Sequence, residues 1–237
     1  MSIELQLHRD VTADSAPERA LTTATWEIGP GWRGISSAML GGGIGTIGWV
    51  INAQVPGDYS RTDPVEHLGE LADQHGMRGR GVGMLTAAPV ANSFQATDSG
   101  VSASATVGLR VPTWAAAAAE VPDPELAPMV LPDETAKAPY RPGTINITVQ
   151  VPVALTDAAL VNAVITVTEA KTQALLEAGY PATGTASDAV VIVVPEVGEP
   201  EVFAGPRSQW GSAVARAVHA VVLAGAHDYT GSLPTSK

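Results

Sequence analysis

The chain has 237 residues, 45% of them hydrophobic and 16% charged, a composition that excludes an extended disordered chain and supplies apolar material for one core. Because the sequence contains no cysteine, disulfides, thiolate metal sites and cysteine nucleophiles are excluded as well. The formal net charge of -11 argues against nucleic acid as a partner, since neutralising phosphates needs clustered Lys and Arg.

The front half of the chain predicts short apolar strands bounded by glycine or proline. These strands cover residues 2–8, 21–28, 35–40 and 49–55. A short helix is predicted over residues 64–76. Three more strands, at 80–88, 93–97 and 101–109, are expected to form an antiparallel meander, with Asp98-Ser99-Gly100 as its last turn.

The back half predicts two long helices and two strands. Residues 120–143 are acidic and rich in proline, which indicates a long surface loop before a strand at 144–151. Helix-start signals at Thr156 precede the apolar run 158–178, and a buried strand at 189–194 and a helix at 208–226 follow. We therefore predict a single α+β domain over residues 1–237. Its expected architecture is one mixed, largely antiparallel sheet with the two C-terminal helices packed on it.

Two segments bear on where the protein resides. The first 20 residues interrupt their apolar positions with charged ones, so no secretory signal is expected. Residues 34–56 carry no charge and are long enough to cross a bilayer, but five of them between 41 and 48 are glycine, which opposes a stable helix. We expect a cytoplasmic protein with no membrane partner.

Two familiar binding signatures do not fit this chain. Residues 43–48 match the dinucleotide pattern G-x-G-x-x-G, but that pattern needs a following helix, whereas residues 49–52 predict a strand. A tight turn, or a loop that lets a ligand approach bare backbone, is favoured instead. The five histidines show no metal-ligand spacing, and the group Glu66, His67 and Glu70 reads as a solvated helix face. No metal site is predicted.

The predicted helix 158–178 carries two charged residues within apolar stripes. At 100° per residue, Glu169 lies in one narrow stripe with Val161, Ile165, Thr172 and Leu176. Lys171 lies in another, with Leu160, Val164, Val167 and Leu175. A carboxylate in an apolar stripe is costly unless it is paired, and such positions are enriched in functional sites. A structural ion pair or a helix end reaching solvent is an equally weighted alternative.

Two loops concentrate small polar side chains next to strands. They are residues 143–146, Gly-Thr-Ile-Asn, and residues 183–188, Thr-Gly-Thr-Ala-Ser-Asp. Hydroxyls, a carboxylate and backbone N–H groups at close quarters are what amide hydrolysis requires: a nucleophile, a base and donors for the oxyanion. Taken alone, the residues favour ordinary turn chemistry over a catalytic site.

An ordered series of segments resembles the adenosylcobinamide amidohydrolase family, also called CbiZ. The segments are residues 36–40, 50–52, 83–88, 105–108, 112–115, 143–147, 168–171, 183–189 and 205–207. The resemblance covers roughly residues 33–227. The chain departs from the family at Gly41 and at residues 109–111, where many relatives carry asparagine.

The resemblance implies hydrolysis of one amide of adenosylcobinamide, giving adenosylcobyric acid and 1-amino-2-propanol, in corrinoid salvage for coenzyme B12. It implies a small-molecule corrinoid as the partner and no cofactor, because the substrate carries its own cobalt. A homo-oligomer is left open. Two alternatives also stay open: a corrinoid-binding protein without catalysis, and an amidohydrolase that acts on a different corrinoid amide.

The resemblance and the residue patterns together suggest roles for named residues. Thr144 or Thr185 is expected to be the nucleophile or to position water, and Glu169 or Asp188 to be the base, with Asn146 stabilising the oxyanion. The residues expected to contact substrate are Ser37, Gly42, Gly43, Asn52, Thr86, Trp114, Lys171 and Ser187. The flat corrin is expected in a cleft between residues 43–48 and 112–114. Self-cleavage before Thr144, which would leave an N-terminal threonine nucleophile, is a further alternative.

Overall fold

The computed structural model describes residues 3–10, 21–126 and 143–233. Its strands are β1 Leu5–Asp10, β2 Leu21–Glu27, β3 Trp32–Ser36, β4 Gly43–Thr46, β5 Trp49–Gln54, β6 Val82–Thr86, β7 Phe94–Asp98, β8 Val101–Val107, β9 Ile145–Gln150 and β10 Ala189–Pro195. The helices are α1 Pro64–Gln74, α2 Asp157–Glu177 and α3 Gln209–Ser232. Most of the predicted proline-rich loop lies outside the described residues.

The strands form two sheets. The first sheet has four strands in the order β1-β2-β5-β6, and the second has six in the order β4-β3-β10-β9-β8-β7. Two pairs are parallel, β5 with β6 and β9 with β10; the other pairs are antiparallel. The predicted α+β class is therefore confirmed, with two mixed sheets in place of the expected single one.

The two sheets stack, and helices cover their outer faces. Successive residues of β10 alternate between the layers: Ile192 and its even-numbered neighbours pack against α2 and α3, whereas Val191 and Val193 pack against the first sheet. On the far side of the first sheet, Ile51 packs against Leu68 of α1. A strand that is apolar on both faces needs a layer on each side, which explains the four-layer arrangement.

The predicted meander at residues 80–109 is wrong in the pairing of its first strand. That strand, β6, lies parallel to β5 in the first sheet, because α1 provides the long crossover that a parallel pair requires. The second half of the prediction is confirmed. β7 and β8 form an antiparallel hairpin, and its turn residues Ser99 and Gly100 have positive φ.

The glycine-rich segment after β3 also differs from expectation. The strand predicted at 35–40 ends at Ser36, and the chain turns back as the edge strand β4. β4 is followed by strand β5 rather than by a helix, so the dinucleotide pattern lacks the helix N-terminus that it needs. Among the described residues, no helix is long and apolar enough to cross a membrane.

Both predicted C-terminal helices are confirmed. The Thr156 side chain caps α2 by accepting from the Ala159 N–H at 3.2 Å, and Gly179, with φ of 87°, follows the end of the helix. Ser208 caps α3 in the same way. α3 continues past the predicted end at residue 226 to Ser232.

Candidate active site

The parallel pairing of β9 and β10 brings two polar loops to one edge of the second sheet. Thr144 immediately precedes β9, and Asp188 immediately precedes β10. The antiparallel strand β8 ends at this edge, where the Gly108 N–H donates to the Thr144 carbonyl at 3.0 Å. The structure thus brings together the two hydroxyl-rich loops, residues 143–146 and 183–188.

Asp188 is the centre of a hydrogen-bond cluster at this edge. Its Oδ1 accepts from the Ile145 N–H at 3.0 Å and from the Thr185 hydroxyl. Its Oδ2 accepts from the Thr185 N–H at 3.1 Å and from the Lys171 ammonium. A carboxylate has about four lone-pair positions, so Asp188 has none left for a further proton. This geometry does not fit the predicted role of Asp188 as a base, and Asp188 instead ties its loop to β9 and α2.

The Lys171–Asp188 ion pair is buried, with each side chain 11% exposed. Among the described residues, Asp188 is the only hydrogen-bond partner of the Lys171 ammonium. Gly184 leaves room for the pair, because a Cβ there would lie 2.3 Å from Asp188 Oδ2 and 2.5 Å from Lys171 Nζ. Lys171 was expected to contact substrate; in the structure its ammonium is paired with Asp188, and the substrate contact stays a prediction.

Thr144 and Ser187 form a chain of hydroxyls in front of this cluster. Their hydroxyl oxygens are 2.8 Å apart, and the Ser187 hydroxyl also donates to the Gly143 carbonyl at 3.3 Å. Thr144 is therefore the donor in the bond that the two hydroxyls share. Within the described part of the chain, the Thr144 hydroxyl has no other hydrogen-bond partner.

Thr144 lies in the wall of a cavity of about 280 Å³. The cavity is lined by Gly57, Ala87, Ala88, Pro89, Gly108, Arg110, Gly143, Thr144 and Tyr229. Small residues and glycines form most of this lining, so a ligand can approach the Thr144 side chain and the neighbouring backbone closely. Thr185 does not line this cavity.

Arg110 and Tyr229 give the cavity its polar character. The Arg110 guanidinium donates through Nε, at 2.8 Å, and through Nη2 to Glu125, and its Nη1 has no hydrogen bond to a described residue. Burial raises the pKa of Tyr229, and the nearby Tyr180 raises it further. The Tyr229 phenol therefore stays protonated at neutral pH and can donate a hydrogen bond.

Asn146 lies between the two sheets rather than in the cavity. Its amide nitrogen donates to Asn52 Oδ1 at 2.8 Å and to the Leu85 carbonyl at 3.0 Å, and Asn52 donates to Thr106 Oγ1 at 3.0 Å. A side-chain amide has only two N–H groups, so Asn146 has none left for an oxyanion. Asn52 and Asn146 are each only 2% exposed, and they join the sheets instead of reaching a ligand.

Glu169, the other charged residue that the sequence places in an apolar stripe of α2, is exposed. The stripe that contains Glu169 faces outward, with Ile165 and Leu176 each 49% exposed and Glu169 itself exposed. The opposite stripe, which contains Lys171, faces the core. Glu169 has no hydrogen bond or ion pair with a described residue, and so none with the Thr144 cluster.

The remaining residues expected to contact substrate are spread around the same end of the fold. Ser37 accepts from the Val190 N–H at 3.0 Å, and Thr86 accepts from the Ala88 N–H at 3.0 Å beside the cavity. Gly42 and Gly43 are exposed at the start of β4. Trp114 is 46% exposed, next to the bridge between Thr113 and Gly184. None of the five predicted binding residues Ser37, Gly42, Gly43, Thr86 and Trp114 lines the cavity at Thr144.

Arg110 and Tyr229 were not among the predicted site residues. Arg110 lies in the segment 109–111, and the departure of this segment from the family pattern could have pointed to it. Tyr229 follows the predicted end of the last helix, and only the full length of α3 brings it to the cavity. Among the described residues, no three His, Asp or Glu side chains are grouped to hold a metal ion; the lack of a metal cofactor stays a prediction.

Comparison with known proteins gives one family and two curated relatives. The family model described as adenosylcobinamide amidohydrolase, CbiZ, matches residues 7–234. A protein from Methanosarcina mazei, named adenosylcobinamide amidohydrolase, is 29% identical over 173 residues, which cover 73% of this chain and 73% of that protein. A protein of the same name from Halobacterium salinarum is 37% identical over 131 residues, 53% of this chain and 54% of that protein.

Proposed function

The chain belongs to the adenosylcobinamide amidohydrolase family, and from that membership we propose that it hydrolyses the aminopropanol amide of adenosylcobinamide. The products are adenosylcobyric acid and 1-amino-2-propanol. The reaction serves the salvage of incomplete corrinoids into coenzyme B12. Both curated relatives carry the name of this activity, and the family model spans nearly the whole chain.

Thr144 is the proposed nucleophile. The observation that carries this assignment is that the Thr144 hydroxyl lies in the cavity wall and is hydrogen-bonded only to Ser187 among the described residues. Thr185, the other candidate, donates its hydroxyl to Asp188 and lies outside the cavity lining. Asp188, Lys171 and Thr185 hold the loop that carries Ser187, and they do not react themselves.

Attack of a threonine hydroxyl on an amide produces a tetrahedral oxyanion that needs hydrogen-bond donors. Arg110 Nη1 and the protonated Tyr229 phenol are the donors proposed for this purpose, since both residues line the cavity with Thr144. Arg110 also carries a positive charge, and a charged donor stabilises an oxyanion more strongly than a neutral one.

The cavity is smaller than the substrate. Sites for drug-sized ligands range from about 300 to 1,000 Å³, and a corrinoid exceeds that size class, whereas the cavity measures about 280 Å³. The cavity is therefore proposed to take the amide-bearing side arm, while the corrin ring stays at the mouth. The ring brings the only cobalt proposed for the reaction. The exposed residues Trp114, Ser37, Gly42 and Gly43 are the candidates for contact with the ring.

The test is incubation of the purified protein with adenosylcobinamide, with both products followed by mass spectrometry. Thr144→Ala is expected to reduce turnover by at least ~100-fold, as for loss of a nucleophile. Thr168→Ala is the matched control, because the exposed Thr168 hydroxyl only donates to the Val164 carbonyl within α2. Tight binding without turnover in the unaltered protein would favour the binding-protein alternative. Release of a different amine would favour another corrinoid amide.

A further inference from the structure

A threonine nucleophile needs a group that removes its proton, and the described residues offer none in contact with Thr144. The only partner of its hydroxyl in the described part of the chain is the Ser187 hydroxyl, which is too weak a base. The nearest carboxylate in the cluster, Asp188, already accepts four hydrogen bonds. The Lys171 ammonium is held in its ion pair with Asp188. Among the residues that the structure describes, no group in contact with Thr144 therefore serves as its base.

The peptide bond just before Thr144 lies in a setting that favours its cleavage. The Ser187 hydroxyl donates to the carbonyl of Gly143, the carbonyl that precedes the threonine, and so polarises it. Gly143 and Thr144 both line the cavity, so water has access to this bond. A Cβ on Gly143 would lie 2.2 Å from the Gly108 carbonyl oxygen, so only glycine fits before the threonine.

We infer that the chain cleaves itself between Gly143 and Thr144. Thr144 Oγ attacks the adjacent Gly143 carbonyl carbon, a single intramolecular event that relies on the polarised carbonyl and on proximity, whereas repeated turnover needs a base. The C–N bond breaks and the hydroxyl proton ends on the Thr144 nitrogen, which leaves an ester between the two residues. Water then hydrolyses the ester: its oxygen enters the new Gly143 carboxyl group, and the Thr144 hydroxyl regains a proton. The carboxyl proton passes to the new amine. Water is the only co-reactant.

Cleavage supplies a base next to the Thr144 hydroxyl. The free α-amine of Thr144 stands beside its own hydroxyl, and an N-terminal amine is a known activator of a threonine nucleophile. Because an α-amine has a pKa of about 7.7–8.0, a substantial fraction is unprotonated near neutral pH. This inference rests on the proposed function for its purpose, but cleavage itself is measured without any substrate.

The test is intact-mass spectrometry of the purified full-length chain, with N-terminal sequencing. We expect two fragments, one ending at Gly143 and one beginning at Thr144, that stay associated in native conditions. Thr144→Ala is expected to give a single chain, and Thr144→Ser, which keeps a hydroxyl, to restore cleavage. Ser187→Ala is expected to slow cleavage by about 100-fold, the lower range for loss of one donor to a carbonyl that becomes an oxyanion. Thr168→Ala serves as the folded, cleaving control.

The outcomes separate this inference from the proposed function. A chain that stays full length after prolonged incubation overturns self-cleavage, whether or not it hydrolyses adenosylcobinamide. A cleaved chain that hydrolyses no corrinoid amide supports self-cleavage and contradicts the proposed function. Cleavage that persists in folded Thr144→Ala, judged by circular dichroism, identifies an external protease and also overturns the inference.

Discussion

The buried ion pair of Lys171 and Asp188 gives a prediction about protein stability. Lys171→Met removes the ammonium but leaves Asp188 with three donors, the N–H groups of Ile145 and Thr185 and the Thr185 hydroxyl. Asp188→Ala removes both carboxyl oxygens and leaves the Lys171 ammonium, in a residue only 8% exposed, without a hydrogen-bond partner among the described residues. The two substitutions break the same pair but leave very different buried groups behind.

Breaking a buried pair by removing one partner costs about 3–5 kcal/mol. We expect Lys171→Met to lie near the lower value, about 3 kcal/mol, because the remaining charge is still well hydrogen-bonded. Asp188→Ala is expected near the upper value, about 5 kcal/mol, because the ammonium that remains has no acceptor among the described residues. The double variant should cost less than the sum of the two, since it leaves no uncompensated charge.

The assay is urea unfolding followed by circular dichroism, with the free energy extrapolated to water. All variants are compared in the Thr144→Ala background, so that each is expected to be a single chain. Equal costs for the two substitutions, or a larger cost for Lys171→Met, would refute the reasoning from hydrogen-bond partners.

Three other predictions follow from single contacts. Gly184→Ala should lower the free energy of unfolding by about 2 kcal/mol or more, because the new Cβ would lie 2.3 Å from Asp188 Oδ2. Gly69→Ala is the control: it has open space around it and should be neutral or stabilising in the same urea assay. Because Glu169 is exposed, Glu169→Gln should change turnover by less than about twofold, the usual size of a surface effect. A 100-fold lower rate of product formation would show that Glu169 takes part in the reaction. The Arg216 and Ser99 side chains lower the pKa of Asp98 to about 2, so the Asp98–Arg216 pair stabilises the fold above the usual carboxyl pKa of about 3.9, and this contribution is lost as pH falls through about 2. Asp98→Asn should therefore lower the urea midpoint at pH 7 but not below pH 2, and an equal loss at both would contradict the assignment.

The local elements of this fold were predictable from the sequence. Capping residues and apolar periodicity located α2 and α3, and the turn Asp98-Ser99-Gly100 located the β7–β8 hairpin. These features depend on contacts between residues close in sequence. The division into two sheets was not predictable, because it depends on β6 pairing with β5 across α1 instead of with its neighbour β7.

The sequence identified both charged positions of α2 but not the one that is buried. Glu169 and Lys171 each lie in an apolar stripe, and a helix in isolation gives no reason to prefer either stripe. Packing against α3 and the second sheet turns the Lys171 stripe inward. The outer stripe keeps Ile165 and Leu176 half-exposed. Amphipathic periodicity is thus ambiguous for a helix that is apolar nearly all round.

The meeting of the two hydroxyl-rich loops was the part of the candidate site best anticipated by the sequence. Both loops directly precede strands, and the parallel pairing of β9 with β10 puts the two strand starts at one edge. Arg110 and Tyr229 were missed because their place in the cavity depends on the path of the chain after β8 and on the last turns of α3. No local pattern encodes either feature.

The most direct test of Thr144 as the nucleophile is to trap its covalent intermediate. Enzyme mixed with adenosylcobinamide is quenched in acid within the first turnover, digested and mapped by mass spectrometry. The account predicts a cobyric acyl ester on the peptide that contains Thr144, together with one equivalent of released 1-amino-2-propanol. Release of the amine at an undiminished rate by Thr144→Ala, with no acylated peptide, would contradict it.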